Sequence, residues 1–446
     1  MRVVLVSTYE LGHQPFGLSS PKAWLVRDGH DVVCVDLAVA TLEESAIQAA
    51  DLVAFYLPMH TATRLAIPVI ERVKQLNPRA SLACYGLYAP LNRELLRGLG
   101  VEATIGAEFE PALLQLANGD RLAEQTAGNL PRLTFLTPDR SDLPDLSAYS
   151  HLQQNGTKIA AGYTEASRGC KHLCRHCPVV PVYQGQFRVV QRDMVLAHIR
   201  QQVAAGARHI TFGDPDFLNG PTHAMRIVED FHAEFPDVSY DATIKIEHLK
   251  QQRALLPRLK ETGCLFVTSA VESVDDSVLA RLEKGHTRQD FVDVAGWMRE
   301  AGLALQPTFI AFTPWTTIES YAALLSALAE LELVENTAPV QLALRLLVTQ
   351  NSRLLELPEL LAVIGAFDEK GLVYPWKHPD PEMDALASCL FQTVSRRQDQ
   401  NKSRAEIFGE IWELVRRTPA PVFPHQLPVP HLDEPWYCCA EPAPQV

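Results

Sequence analysis

The stretch Ala166-Ser-Arg-Gly-Cys170-Lys-His-Leu-Cys174-Arg-His-Cys177-Pro178 decides the reading of this chain. Its three cysteines, separated by three and then two residues, bring three thiolates into one short loop. Thiolates so grouped suit a soft-metal centre, and iron–sulfur clusters are held by Cys thiolates. A structural zinc site wants a fourth Cys or His at comparable spacing; His172 and His176 lie inside the loop, so the count alone leaves zinc open. The three-ligand spacing is better explained by a four-iron cluster with one iron left open for a further ligand.

With Ser-Arg-Gly before them and Pro178 after, Cys170, Cys174 and Cys177 resemble the cluster loop of the radical S-adenosylmethionine (SAM) superfamily. The resemblance implies a [4Fe-4S] cluster whose open iron chelates the amino and carboxylate groups of SAM. It also implies reductive cleavage of SAM to a 5′-deoxyadenosyl radical. The position before the third cysteine, often aromatic in the family, is His176, which still offers a flat ring beside the cofactor. A small-molecule substrate and an external electron donor of flavodoxin or ferredoxin type belong to the same expectation.

The whole chain fits an enzyme of this kind. Its 446 residues suggest two to four domains, with 47% hydrophobic and 21% charged residues as in a globular protein. A net charge of −13 gives no strong nucleic-acid signal, since phosphate binding needs clustered Lys and Arg. No run of about 18 apolar residues suggests a membrane span. The opening Met1-Arg-Val-Val-Leu-Val-Ser-Thr reads as a first strand rather than a signal peptide. Nine cysteines do not indicate a disulfide scaffold, and Cys34, Cys84 and Cys264 sit in apolar runs as inert core residues. This usage fits a reducing cytoplasm.

Residues 1–120 alternate strands at 2–7, 31–36, 51–57, 79–85 and 102–105 with helical periods, predicting a flavodoxin-like five-stranded parallel sheet. The order of elements and Gly106-Ala-Glu-Phe-Glu-Pro-Ala-Leu113 resemble the cobalamin-binding domain that precedes many radical SAM barrels. The Asp-x-His-x-x-Gly signature of that domain is replaced by Tyr9-Glu-Leu-Gly-His-Gln-Pro-Phe-Gly17, and its glycine pair by Tyr85-Gly86 followed by Leu87 and Tyr88. Two readings follow: the domain binds cobalamin, or it caps the barrel mouth and shapes the substrate site. His13 is read as a loop or substrate-facing residue rather than a cobalt ligand.

Residues 121–157, rich in Pro, Gly, Asp and Ser, read as an extended linker draped on the surface. Over 158–350 strands at 158–166, 208–212, 238–246, 264–270, 304–312 and 340–348 alternate with helices. Six units suit the partial (βα)6 barrel of the radical SAM superfamily, whose chemistry sits at the carboxyl ends of the strands. Phe212-Gly-Asp-Pro-Asp-Phe217 resembles the motif that meets the methionyl amino group of SAM, giving Asp214 and Asp216 as contacts. Lys245, after the third strand, could pair with the SAM carboxylate or form an internal ion pair with Glu247. Glu272 and Ser273 resemble the Gly-x-Glu-Ser segment of the same subgroup, and Glu272 is the leading SAM contact outside the cysteines. His286 is read as structural.

Residues 351–446 read as a helical region, with helices near 354–369, 380–398 and 403–417, then a Pro-rich tail ending Trp436-Tyr-Cys438-Cys439-Ala-Glu-Pro442. That ending resembles the radical SAM proteins with a CUAEP or CCAEP tail. The vicinal pair Cys438-Cys439 is read as catalytic, either ligating a thiophilic atom or cycling as a strained disulfide. The chain is thus expected to modify a small molecule, by methyl or alkyl transfer or by bonding a thiophilic atom. The rival is a zinc- or cluster-bearing sensor that has lost SAM cleavage.

Overall fold

A computed structural model describes residues 1–120, 122, 130–421, 429–434 and 440–441. Near the amino end, β1 (Arg2–Ser7), β2 (Asp31–Asp36), β3 (Leu52–Tyr56), β4 (Ser81–Tyr85) and β5 (Ala103–Ile105) form a parallel sheet in the order β2-β1-β3-β4-β5. Burial on both faces explains their apolar runs: Val4 and Val6 face one core, Val3 and Leu5 another. A doubly wound sheet of this order opens its crevice beyond the carboxyl ends of its strands.

Residues 130–150 are mostly extended, as their prolines dictate, yet they are not simply draped outside. Phe135, Leu143, Leu146 and Tyr149 are buried, and Asp142 accepts from the Cys34 amide while pairing with Lys22. The next strand starts earlier than 158. β6 (His151–Gln154) and β7 (Thr157–Thr164) form a hairpin that turns at Asn155-Gly156, with φ of 49° and 74°. Asn-Gly is the pair that such a two-residue turn favours.

The second sheet runs β13-β12-β11-β10-β7-β6-β15, where β10 is His209–Phe212, β11 Ser239–Thr243, β12 Cys264–Glu272, β13 Ala304–Phe309 and β15 His431–Leu432. From β7 to β13 it is parallel; β6 and β15 add an antiparallel edge. β8 (Ser167–Gly169) and β9 (Phe187–Val189) form a ribbon bracketing the cysteine loop.

The sixth barrel strand is the two-residue β14 (Arg345–Leu346), joined to Phe312 by a parallel bridge. A 3₁₀ turn at Pro339–Leu342 replaces its first half, and the Gln341 side chain accepts the Phe309 amide that a strand carbonyl would have taken. β16 (Ala440–Glu441) pairs with β14.

The helix expected over 354–369 does not form. A 3₁₀ turn (Arg353–Glu356) and one short helical turn (Pro358–Leu361) are followed by a hairpin-like loop, bridged at Ile364–Trp376 and Asp368–Val373. Asp368 accepts from the Lys370 amide and Leu372 takes a φ of 57°, so turn chemistry wins over the apolar period. Helices at Pro381–Asp399 and Arg404–Arg416 stand as read, the latter closed by a Ser403–Glu406 capping box.

Candidate active site

A cavity of about 300 Å³ lies between the carboxyl end of the first sheet and the interior of the half-barrel. Cys170, Cys174 and Cys177 all line it, and so do His176, Asp214, Lys245 and Glu272. The cysteine loop is held by backbone geometry that its sequence dictates. Gly169 has a φ of 77°, and a Cβ there would sit 2.2 Å from the Tyr183 ring and 2.6 Å from the Gln186 carbonyl. Only glycine fits, which explains the residue just before the first cysteine. Asn219 accepts from the Lys171 amide at 3.2 Å and lies 3.7 Å from the Cys170 sulfur.

Each expected residue can now be placed. Asp214 accepts one bond on each oxygen, from the Ala166 amide at 2.9 Å and the Ser167 hydroxyl at 2.5 Å, and so pins the strand that feeds the cysteines. Burial pushes its carboxyl up to about 7. Asp216 is not among the residues lining the cavity; it is fully buried behind the loop with His248 Nδ1 at 2.7 Å and His172 Nε2 at 3.7 Å.

Lys245 has both neighbours that the sequence offered, with Nζ 3.6 Å from the Cys174 sulfur and 3.4 Å from Glu247. His176 and Glu272 bond to each other at 3.1 Å, and Lys284 stands 3.5 Å from the same carboxylate. Burial opposes charge on Glu272, but Lys284 and His176 outweigh it and hold the carboxyl below its usual range. A register shift in β12 and a φ of 68° at Glu272 aim this carboxylate inward. Ser273 is not among the cavity residues, and its hydroxyl accepts the Asp275 amide. Cys438 and Cys439 lie outside the described residues.

The three thiols suit a soft metal cluster. Burial pushes the Cys170 thiol up to about 12, so the charge of a bound metal is what would keep it ionised. Among the described residues, Cys170, His172 and Asp216 also bring ligand atoms within 4.8 Å of one another, a set that shares one sulfur with the triad.

Arg168, in the flank of the cysteine loop, reaches the glutamates of the first lobe, a pairing that no local pattern announces. It makes two bonds to Glu110, at 2.6 and 2.9 Å, and one to Glu165 at 2.8 Å, with Glu108 at 3.8 Å. Phe16, Phe109 and Phe135 surround the guanidinium at 4.8–5.5 Å. Both partners were visible as motifs, Ser-Arg-Gly and Glu-Phe-Glu, but 58 residues separate them and nothing local pairs them.

Comparison with known proteins decides the domain. Residues 164–321 match the model of the Radical SAM superfamily. These residues form a radical SAM domain. The domain contains the cysteine loop and the strands β10 to β13 that line the cavity. It is an enzyme domain, and it implies a [4Fe-4S] cluster and SAM, for which the triad and cavity are suited. The chain is 28% identical over 179 residues to the tRNA-2-methylthio-N(6)-dimethylallyladenosine synthase of Desulfosudis oleivorans, covering 38% of each. It is 23% identical over 232 residues to the ribosomal protein uS12 methylthiotransferase RimO of Geobacter sulfurreducens, covering 46% of this chain and 49% of that one. The chain thus matches about two-fifths to one-half of these relatives' lengths.

Among solved structures, the cobalamin-dependent SAM radical enzyme OxsB with aqua-cobalamin bound aligns with a TM-score of 0.71 at 14% identity, over 88% of this chain and 66% of that one. The radical SAM methyltransferase TsrM from Kitasatospora setae, with cobalamin and a [4Fe-4S] cluster bound, aligns with a TM-score of 0.58 at 16% identity, over 74% and 73%. These likenesses establish the two-sheet fold. Among the described residues no helix is long and apolar enough to cross a membrane.

Proposed function

We propose that the protein is a cytoplasmic enzyme that reductively cleaves SAM at a [4Fe-4S] cluster held by Cys170, Cys174 and Cys177, and modifies a small molecule. Methyl or alkyl transfer, or bonding to a thiophilic atom, is the reaction class. One observation carries the reading: three thiols of a single loop open onto the cavity that the strand ends of the radical SAM domain also line. Cluster and SAM together supply an electron and a carbon radical.

The chain's own residues position and shield. Asp214 fixes the approach of the loop through Ala166 and Ser167. Lys245 places a cation beside Cys174, where it offsets thiolate charge and can reach a carboxylate in the cavity. Glu272, with His176 and Lys284 behind it, presents a fixed acceptor for hydroxyl or ammonium donors. Lys171 and the 47%-exposed Leu173 mark where a flavodoxin- or ferredoxin-type donor would approach the loop. We assign 1–120 to the first lobe, 121–150 to the linker, 151–350 to the barrel, whose start moves back from 158 to take in the β6–β7 hairpin, and 351–446 to the C-terminal region, with Cys438-Cys439 in a soft nucleophile or redox role.

For the first lobe two roles stand, cobalamin binding or a cap over the barrel mouth, and the OxsB and TsrM structures that share this fold hold cobalamin. At the carboxyl ends of β3 and β4, Tyr56 and Tyr85 pack with Phe109, ring centroids 5.0–5.8 Å apart. A Cβ on Gly86 would meet the Leu57 carbonyl at 2.9 Å, so this glycine serves the backbone turn.

Anaerobic reconstitution tests the reading. About four irons per chain and 5′-deoxyadenosine from SAM are expected, both lost when the three cysteines become alanine. A second reading, a zinc-bearing protein without SAM cleavage, is favoured by the Cys170, His172 and Asp216 grouping. Stoichiometric zinc and no deoxyadenosine would establish it instead. Cys438→Ser and Cys439→Ser enzymes turning over like the parent would remove the tail from the chemistry.

A further inference from the structure

The cavity continues past the cysteines into the barrel interior, where its lining changes character. Asp241, on β11, is 4% exposed and held rigidly: its Oδ1 accepts from His209 Nε2 at 2.9 Å and from the Thr211 hydroxyl at 2.7 Å. Ser239 Oγ lies 2.8 Å from His209 Nδ1, so a hydroxyl donating there fixes the ring with its proton toward Asp241. Among the described residues no hydrogen bond reaches Asp241 Oδ2, and no Lys or Arg pairs with this carboxylate.

His13 faces the same space from the first lobe. The left-handed pair Leu11-Gly12, with φ of 50° and 71°, and a bond from the Ser150 amide to the Gly12 carbonyl turn it toward the barrel. It is 8% exposed, its ring lies 4.7 Å from the Tyr163 ring, and its ring nitrogens have no hydrogen bond among the described residues. Tyr163, Thr211 and Asp241 hold partnered register positions on β7, β10 and β11, so Asp241 shares a sheet face with the ring that His13 packs on. Burial lowers the His13 imidazole to about 4, leaving a neutral ring with a lone pair to offer. Arg140, which also acts on His13, spends its donors on Gln14, His198 and the Tyr163 carbonyl.

We propose that Asp241, His13 and Tyr163 form a subsite for a protonated primary amine on the substrate, which rests on the enzyme reading above for its role in turnover. Three features of an ammonium site meet here: a desolvated carboxylate with one oxygen open, a neutral imidazole acceptor, and an aromatic ring. A buried carboxylate with one oxygen open and no Lys or Arg beside it gains from an incoming cation. A metal ion is the poorer occupant, because among the described residues His13 and Asp241 belong to no group of three ligands close enough to share one.

The test uses the full-length, anaerobically reconstituted protein and n-butylammonium chloride, with n-butanol as neutral isostere and butyrate as anionic control. Calorimetric titration should give binding of roughly millimolar order for the amine and none for the other two. The affinity should fall about ten-fold or more in Asp241→Asn and about three- to ten-fold in His13→Phe, which keeps the ring against Tyr163. Equal binding of amine and alcohol by the parent overturns the proposal, as does an unchanged affinity in Asp241→Asn. Should that variant not fold, His13→Phe decides alone, and parent-like affinity there overturns it. A parent that binds the amine but neither holds iron nor cleaves SAM sinks the enzyme reading and leaves this subsite standing.

Discussion

Glu110→Gln removes the charge that holds the cysteine loop to the first lobe while keeping the side chain's shape. Glu110 is fully buried and makes two bonds to Arg168 and one to Ser20, so no water replaces what is lost. Breaking a buried pair by removing one partner costs about 3–5 kcal/mol. Here Glu165 still bonds Arg168 at 2.8 Å and Glu108 stands at 3.8 Å, so the guanidinium is not orphaned and the cost falls to about 2–3 kcal/mol. For the 446-residue chain unfolding as a whole that is a drop in melting temperature of roughly 2–3 °C. The assay is thermal unfolding of the apo-protein, with iron content after reconstitution as a second readout, since Arg168 is two residues from Cys170. The exposed Arg97–Glu94 pair supplies the control, and Glu94→Gln should not move the melting temperature. A Glu110→Gln protein that melts with the parent and binds as much iron would refute the idea that the lobes are clamped through this pair.

Other outcomes follow from the same geometry. Glu108→Gln should gain stability relative to the parent as pH rises from about 5 to 8. Burial raises this carboxyl to about 7, so ionising it in the folded chain costs stability that glutamine never loses; chemical denaturation at several pH values reads the crossing. Gly169→Ala should lower bound iron several-fold without abolishing folding, because its Cβ strikes Tyr183 and the Gln186 carbonyl; iron and sulfide analysis checks it. Hydroxocobalamin mixed with the apo-protein and passed over gel filtration separates the two roles of the first lobe: co-elution at one equivalent assigns it cobalamin, and separation assigns it the cap role.

Much of this architecture was legible from one-dimensional pattern. Apolar strands alternating with helical periods give two sheets because a parallel strand buried on both faces cannot be anything but a continuous apolar run. The cysteine spacing reveals the cluster loop because neighbouring ligands in one loop need no distant partner. Asn155-Gly156 was a readable hairpin signal too, although the surrounding prolines made the segment look like a linker. Where local turn chemistry competed with an apolar period, as at Asp368 to Leu372, the period misled.

What no local pattern carries is which charges meet. Asp214 and Asp216 stand two residues apart, yet one pins the strand before the cysteines and the other pairs with histidines behind the loop. Arg168 finds Glu110, 58 residues away, and His13 packs on Tyr163 across the gap between lobes, 150 residues away. The sequence by itself determined the elements and the metal-binding loop, because those follow from neighbours along the chain. Only the tertiary structure decided which buried charges are neutralised and which are left open for a ligand, because desolvation and Coulomb energy depend on distance through space.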